Sequence, residues 1–144
     1  MKTWFTVSIR YTKQNDEGFL QRVTESYLFD AASYTEAESR ATEEFVEKIK
    51  GEVQIMKIAK AKLADVFNYH HSDVWYKVKV LFSTCDADTE RPRKTTVDVL
   101  VNAEAIKDAI KRTEDAFENT LSSFQIVGAQ LSPVVGIYPF ENEE

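Results

Sequence analysis

Apolar and polar positions alternate along two stretches of the chain, 3–12 and 74–83. The first reads TWFTVSIRYT and the second reads VWYKVKVLFS. A period of two is typical of a strand with one buried face. The loops that follow are rich in Gly, Asn, Asp or Pro, so we expect the next strands, 22–30 and 95–102, to fold back as hairpins.

A helical period follows each predicted hairpin. Apolar residues recur at helical spacing over 33–50 and again over 106–121. A long strand is predicted after each helix, at 52–67 and 123–138. The apolar phase changes inside the first long strand and Pro133 interrupts the second, so we expect a bulge or bend in each.

The predicted helices begin near residues that favour helix N-termini. Asp30 and Asn102 occupy aligned positions, and both residue types are good N-caps. Ser33 and Glu36 have the spacing of a capping box. These residues predict that a helix begins shortly after each of the two hairpins.

The second half of the chain repeats the order and residue types of the first half. Trp4 lies 71 positions before Trp75, and Phe45 aligns with Phe117 after one residue of slip. A repeat of this length indicates repeated structure. We therefore predict a tandem duplication with a repeat of 71 residues.

The predicted fold class is α+β, built from tandem duplicated ββαβ repeats with pseudo-twofold symmetry. The two helices pack on one side of antiparallel sheet, which is either one continuous sheet or two. The predicted divisions are a first repeat at 1–69, a joint at 70–73, a second repeat at 74–140 and an acidic tail at 141–144.

One strand face in each repeat combines an aromatic residue with polar and basic residues. In 74–82 the even positions are apolar and face the helices, which leaves Trp75, Lys77 and Lys79 on the opposite face. The same face of the first strand carries Trp4 and Arg10. Aromatic rings edged by cations suit single-stranded nucleic acid, because bases stack on the rings and phosphates contact the cations. Alternatively, the paired Trp residues pack inside the fold or in a dimer interface.

Charge and composition narrow the class of protein. The formal net charge is −6, which argues against a wholly basic coat protein but allows a local basic groove. Single Cys85 cannot form an internal disulfide, which fits a reducing cytoplasm. We see no secretory signal peptide and no apolar run near the roughly 18 residues of a membrane helix.

No pattern of residues predicts a catalytic or metal site. His70 and His71 are adjacent in an extended linker, so they point to opposite sides, and no third ligand lies nearby. The acidic loop with Asp86, Asp88 and Glu90 lacks the glycine and the terminal glutamate of a calcium loop. We predict that the protein is not an enzyme and uses neither metal nor cofactor.

The segments WFTVSIRY and VTESYLFDAASYTEAESR, with the Gln-Ile strand, resemble a family of small uncharacterised proteins. That family, a domain of unknown function, occurs in anaerobic gut bacteria and their phages. The likeness covers most of the first repeat, and the second follows less closely. It implies an intracellular protein of a bacterium or phage and supplies no catalytic residues.

These observations predict a non-enzymatic, cytoplasmic protein that binds single-stranded DNA, as a replication accessory of a phage or mobile element. The acidic tail would dock a protein partner, and a homodimer is compatible with the sequence. The alternative is a phage-borne interaction module or inhibitor that sequesters a host defence protein or a signalling nucleotide. The predicted nucleic-acid-binding residues are Trp4, Arg10, Trp75, Lys77, Lys79, Lys57, Lys60 and Lys62.

Overall fold

The computed structural model describes residues 3–49, 51–69, 72–85, 91–120 and 123–139. Within them the fold is α+β, with two helices and two four-stranded sheets of orders β3-β1-β2-β8 and β4-β6-β5-β7. Most strand pairs are antiparallel, and each sheet also contains one parallel pair. The elements are β1 (Trp4–Gln14), β2 (Leu20–Asp30), α1 (Tyr34–Lys48), β3 (Val53–Ala61), β4 (Asp65–Phe67), β5 (Trp75–Cys85), β6 (Pro92–Asn102), α2 (Ile106–Phe117), β7 (Ser123–Leu131) and β8 (Val134–Tyr138).

The chain forms two compact units, each built on one sheet. Unit 1 contains the chain up to Ala61 together with the residues from Pro133 onward, and unit 2 contains Lys62–Ser132. The predicted division at 70–73 separates two sequence repeats, whereas the compact units divide at Ala61 and again after Ser132. Each unit therefore takes its short edge strand from the other repeat: β8 in unit 1 and β4 in unit 2.

The long strands predicted at 52–67 and 123–138, each with a bulge or bend, are instead each divided into two strands, and strand register supplies the reason. β3 ends at Ala61, which lies opposite Trp4, the first residue of β1. Residues beyond Ala61 have no partner on that strand, and β4 instead pairs in parallel with β6. In the same way β7 ends at Leu131, close to the start of β5, and β8 pairs in parallel with β2. A bulge does occur before each break. The β1–β3 register shifts between Ser8 and Ile9, and the β5–β7 register shifts between Lys79 and Val80.

The helix-facing sides of the strands are those that alternation predicts. In unit 1, Phe5, Val7 and Ile9 are buried together with Ala37 and Phe45 of α1, among others. Burial of the larger side chains is the main source of stability, because each Val, Ile or Phe contributes roughly 1.5–3 kcal/mol when fully buried.

Unit 2 has a corresponding core. Val78 and Val80 of β5 pack with Val99 and Val101 of β6 and with Ala109 of α2. The even-numbered positions of β5 therefore face the helix, as the sequence predicts.

The Ser33 cap is confirmed, Glu36 bonds the Ala32 amide and not that of Ser33, and Asp30 and Asn102 do not cap helices. The Ser33 hydroxyl accepts a hydrogen bond from the Glu36 amide at 3.1 Å, and the Glu36 carboxylate accepts one from the Ala32 amide at 3.2 Å. Asp30 and Asn102 are instead buried at the last position of β2 and β6. The Asn102 side-chain amide donates to the Ser72 and Val74 carbonyl oxygens.

Candidate functional site

The two Trp residues lie on the predicted strand face, but the structure buries both. Trp4 is 6% exposed and Trp75 is 4% exposed. Leu28 and Leu100, which share that face near the strand ends, are buried as well. Alternation identifies the face of a residue and does not show whether that face is covered. In this structure neither indole ring is available to stack on a base.

The sheet face turned away from the helix, which we call the helix-remote face, becomes polar farther along β1. In unit 1 the Ser8 and Ser26 hydroxyl oxygens are 3.1 Å apart. Arg10 is half-buried, and its Nε donates to Thr24 Oγ1 at 3.4 Å. Lys57 is exposed on the same face, because it pairs with Ser8. This part of unit 1 presents hydroxyl and basic groups.

The helix-remote face of unit 2 contains a shallow cavity of about 190 Å³. Lys77 and Lys79 of β5 line it together with Asp98 of β6. Lys79 stands directly opposite Asp98 on one side and opposite Gly128 on the other, and Lys77 stands opposite Gln130. The alternation of β5 and this register bring the lysines to one side of the sheet. The lining of the cavity is Lys77, Lys79, Asp98, Val127, Gly128, Ala129 and Gln130.

The cavity has a small excess of positive charge. Within the part of the chain that the structure describes, neither Lys77 nor Lys79 has a carboxylate within the 4.0 Å of an ion pair. The Asp98 Oδ1 atom is buried and makes no hydrogen bond to a described residue. Two ammonium groups therefore face one carboxylate. A lysine ammonium is a compact, mobile charge that can bind an anionic group without strict geometry.

The remaining predicted lysines do not form one track. Lys57 pairs with Ser8, whereas Lys60 pairs with the helix-facing Phe5. Side chains of directly opposed residues share a face, so Lys57 and Lys60 lie on opposite faces of β3. Lys62 follows β3 and belongs to unit 2. The predictions for His70–His71, the 86–90 loop and the 141–144 tail fall outside the described residues.

A hydrogen-bonded cluster in unit 1 was not predicted. Tyr11 donates to Glu25 Oε1 at 2.6 Å, and Tyr27 donates to the same oxygen at 3.0 Å. Glu25 lies opposite Ile9, on the helix-facing side of β2. The available sequence signal was an acid in the apolar phase of strand 22–30, between Val23 and Tyr27.

The cluster changes the acidity of its phenols. Burial raises the pKa of Tyr11 to about 12, and the neighbouring Glu25 carboxylate adds to the shift. Burial and the same carboxylate also raise the pKa of Tyr27 well above its ordinary value. Both phenols therefore remain hydrogen-bond donors at neutral pH.

The fold and the site together define an α+β domain with a polar sheet face and a small cationic cavity. Residues 3–140 match the model of the DUF4494 family, a domain of unknown function, and the chain belongs to that family. No curated protein and no solved structure matches the chain. Across the described ranges, no helix has the length and apolar character needed to cross a membrane, and no three His, Cys, Asp or Glu side chains gather as a metal site.

Proposed function

We propose that the chain is a non-enzymatic binding protein for single-stranded nucleic acid, held through phosphate contacts to Lys77 and Lys79. The observation that carries the proposal is that both lysines line one open cavity and form no ion pair with a described residue. A phosphate oxygen at that position would be attracted by both ammonium groups. Electrostatic attraction of this kind is largely independent of base sequence.

The proposal assigns no stacking role to Trp4 or Trp75, because both rings are buried. Recognition would instead rest on the nucleic-acid backbone, with Arg10 and Lys57 as secondary contacts on unit 1. Each unit would act through its own helix-remote face. From the sequence resemblance we further propose a cytoplasmic role as a replication accessory of a phage or mobile element.

The test is a titration of dye-labelled oligo-dT by fluorescence anisotropy at several salt concentrations. We expect binding at low salt that weakens as salt rises, with a log–log slope of about −0.7 per phosphate contact. Substituting both Lys77→Ala and Lys79→Ala should reduce that slope by about one to two units. Intrinsic Trp fluorescence should change little on binding.

A matched control removes the same charge elsewhere in unit 2. Lys107→Ala with Lys111→Ala deletes two exposed lysines of α2, which lie on the helix side. This variant should bind like the wild type. Equal losses of affinity in both double variants would mean that binding depends only on net charge. Absence of binding at low salt would refute the proposal.

A second candidate, an interaction module or inhibitor, is favoured by the acidic balance of the chain. The sequence has 24 acidic and 18 basic residues, which suits a protein partner or mimicry of nucleic acid better than extended phosphate binding. A signalling nucleotide could place one phosphate in the Lys77–Lys79 cavity. Calorimetric binding of a cyclic dinucleotide, without affinity for oligo-dT, would favour this candidate over the first.

We also propose that the two repeats arose by tandem duplication and are related by a pseudo-twofold axis. The sheet orders β3-β1-β2-β8 and β7-β5-β6-β4 correspond strand by strand. Arg40 donates to the Asp30 carbonyl, and Arg112 donates to the Asn102 carbonyl, at aligned positions. An experimental structure in which the two units superpose poorly would contradict this proposal.

A further inference from the structure

The two sheets end in four edge strands that differ in length and charge. β4 has three residues and β8 has five, so both are short. β3 and β7 each have nine residues. β3 carries Lys57 and Lys60, whereas β7, with the sequence SFQIVGAQL, carries no charged residue.

An edge strand presents unpaired backbone groups to its surroundings. In an antiparallel pair, about half of the N–H and C=O groups point away from the partner strand. Natural proteins protect such edges by making them short, or by placing lysine or other charges on them. Three of these four edges are short or carry lysine, whereas β7 has neither protection and carries a single bulge, at Val127.

The exposed side chains of β7 add to its capacity for association. Val127 is 48% exposed and Leu131 is 63% exposed. Gln125 and Gln130 are exposed uncharged amides, which can both donate and accept hydrogen bonds. The strand therefore combines free backbone groups with an apolar and amide surface.

We infer that β7 pairs antiparallel with β7 of a second copy of this chain, so that two four-stranded sheets join into one of eight strands. A twofold pairing places each strand against itself, and any charge near the axis would face its own copy. β7 has no charge and meets no such repulsion.

The bulge at Val127 limits the number of hydrogen bonds that the added strand can form. A bulge disrupts the local ladder, so pairing is confined to the flat segments on either side of it. We therefore expect a reversible dimer that forms at high micromolar concentration. Val127 and Gln130 also line the Lys77–Lys79 cavity, but the test contains no nucleic acid, so its outcome is separate from that of the proposed binding.

The experiment is sedimentation velocity over a concentration series. The wild-type sedimentation coefficient should rise with concentration to that of a dimer. Val127→Lys and Leu131→Lys each place a charge on the β7 edge, and both should remain monomeric at every concentration. Met56→Lys is the matched control, because Met56 is the bulge residue of β3 and is 42% exposed. It should dimerise like the wild type.

Two readouts keep the outcome interpretable. Circular dichroism establishes that each variant is folded, and the second lysine variant replaces the first if one is not. Hydrogen exchange of the β7 amides should slow at high concentration in the wild type. A wild type that stays monomeric would overturn the inference. So would lysine variants of β7 that dimerise normally, or a Met56→Lys variant that loses dimerisation equally.

Discussion

The two cores differ in polarity at one edge, which we call the core margin, although their strands pair in the same way. The core margin contains Tyr11 and Glu25 in unit 1, and Phe82 and Val97 in unit 2. In unit 1, Ile9 of β1 lies opposite Glu25 of β2, and in unit 2, Val80 of β5 lies opposite Val97 of β6. Glu25 accepts hydrogen bonds from two phenols. The same backbone arrangement therefore accommodates a carboxylate in one unit and an aliphatic side chain in the other.

Unit 2 replaces the phenol cluster with hydrocarbon. Phe82 takes the place of Tyr11, and its ring lies 5.2 Å from Phe117 and 6.4 Å from Phe124. A half-buried carboxylate is tolerated where donors satisfy it, whereas an apolar margin needs no such partners. Unit 1 thereby gains titratable groups that its counterpart lacks.

The short strand that each unit takes from the other repeat brings an aromatic ring to the core. Tyr138 of β8 stacks on Phe29 with ring centroids 4.8 Å apart and planes 17° apart. Phe67 of β4 meets Phe117 edge-on at 5.9 Å and 74°. The short strands β8 and β4 therefore contribute side-chain packing as well as backbone hydrogen bonds.

The largest expected difference between the units concerns their aligned helix phenylalanines. Phe45 is 3% exposed and contacts Tyr27, Phe29 and Tyr138. Phe45→Ala should lower the free energy of unfolding by about 3–5 kcal/mol, because it removes a buried ring and leaves a cavity.

Phe117 is only half-buried, so Phe117→Ala should cost less than Phe45→Ala. Urea denaturation followed by circular dichroism measures both values. Equal costs would show that the aromatic cluster of unit 1 adds no stability beyond that of unit 2.

Alternation and spacing predicted the strand faces and the approximate helix limits, because these follow from local periodicity. The predicted 33–50 helix, for example, is α1 at Tyr34–Lys48. The break after Ala61 was missed because it depends on where β1 begins, which is a property of a distant segment.

The burial of Trp75 was left open for a related reason. A strand with polar neighbours such as Lys77 can still have one end of its face covered, and covering is set by tertiary structure. The Lys77–Lys79 pair was placed on one face correctly, but the opposing Asp98 depends on strand register, which the sequence alone did not fix.

Substitutions at Tyr11 and Glu25 can convert the polar core margin of unit 1 to the apolar core margin of unit 2. Tyr11→Phe alone should cost about 1 kcal/mol, because Glu25 loses a charged hydrogen bond that is partly open to water. Glu25→Val alone leaves two phenols without their acceptor. The double variant installs the counterparts of Phe82 and Val97 and should cost less than the sum of the single changes.

A double-mutant cycle measured by urea denaturation gives the coupling energy between Tyr11 and Glu25. Thr12→Val, in the next and exposed position of β1, controls for changes in strand propensity. Additive single effects would mean that the 2.6 Å hydrogen bond contributes nothing to stability.

The phenols also make the stability of unit 1 sensitive to alkaline pH. The folded-state pKa of Tyr11 is about 12, above the ordinary value of 10.0 in the unfolded chain. A raised folded pKa means that the contribution is complete below pH 10 and is lost as pH rises through about 12. Deprotonation breaks the hydrogen bond to Glu25 and also places a phenolate beside that carboxylate, whereas Tyr11→Phe only removes the hydrogen bond.

The measurement is urea denaturation at a series of pH values between 8 and about 12, for the wild type and Tyr11→Phe. The variant should lose less stability over this range. Identical pH profiles for the two proteins would exclude Tyr11 as the source of the alkaline loss.

The smallest expected effect concerns an ion pair at the end of α1 that α2 does not repeat. Glu44 and Lys48 form an i,i+4 salt bridge, with side chains 32% and 57% exposed, and hydrogen bonding to Glu44 is the main cause that raises the pKa of Lys48. The Lys48 Nζ atom also lies 5.0 Å from the Tyr138 ring centroid. Glu44→Gln should cost only about 0.3–0.5 kcal/mol, because exposed helix pairs are screened and lose side-chain entropy. Glu43→Gln, an exposed neighbour, removes the same charge and should change stability less. The difference between the two variants should shrink in high salt, and a difference that persists there would mean that Glu44 acts through packing and not through charge.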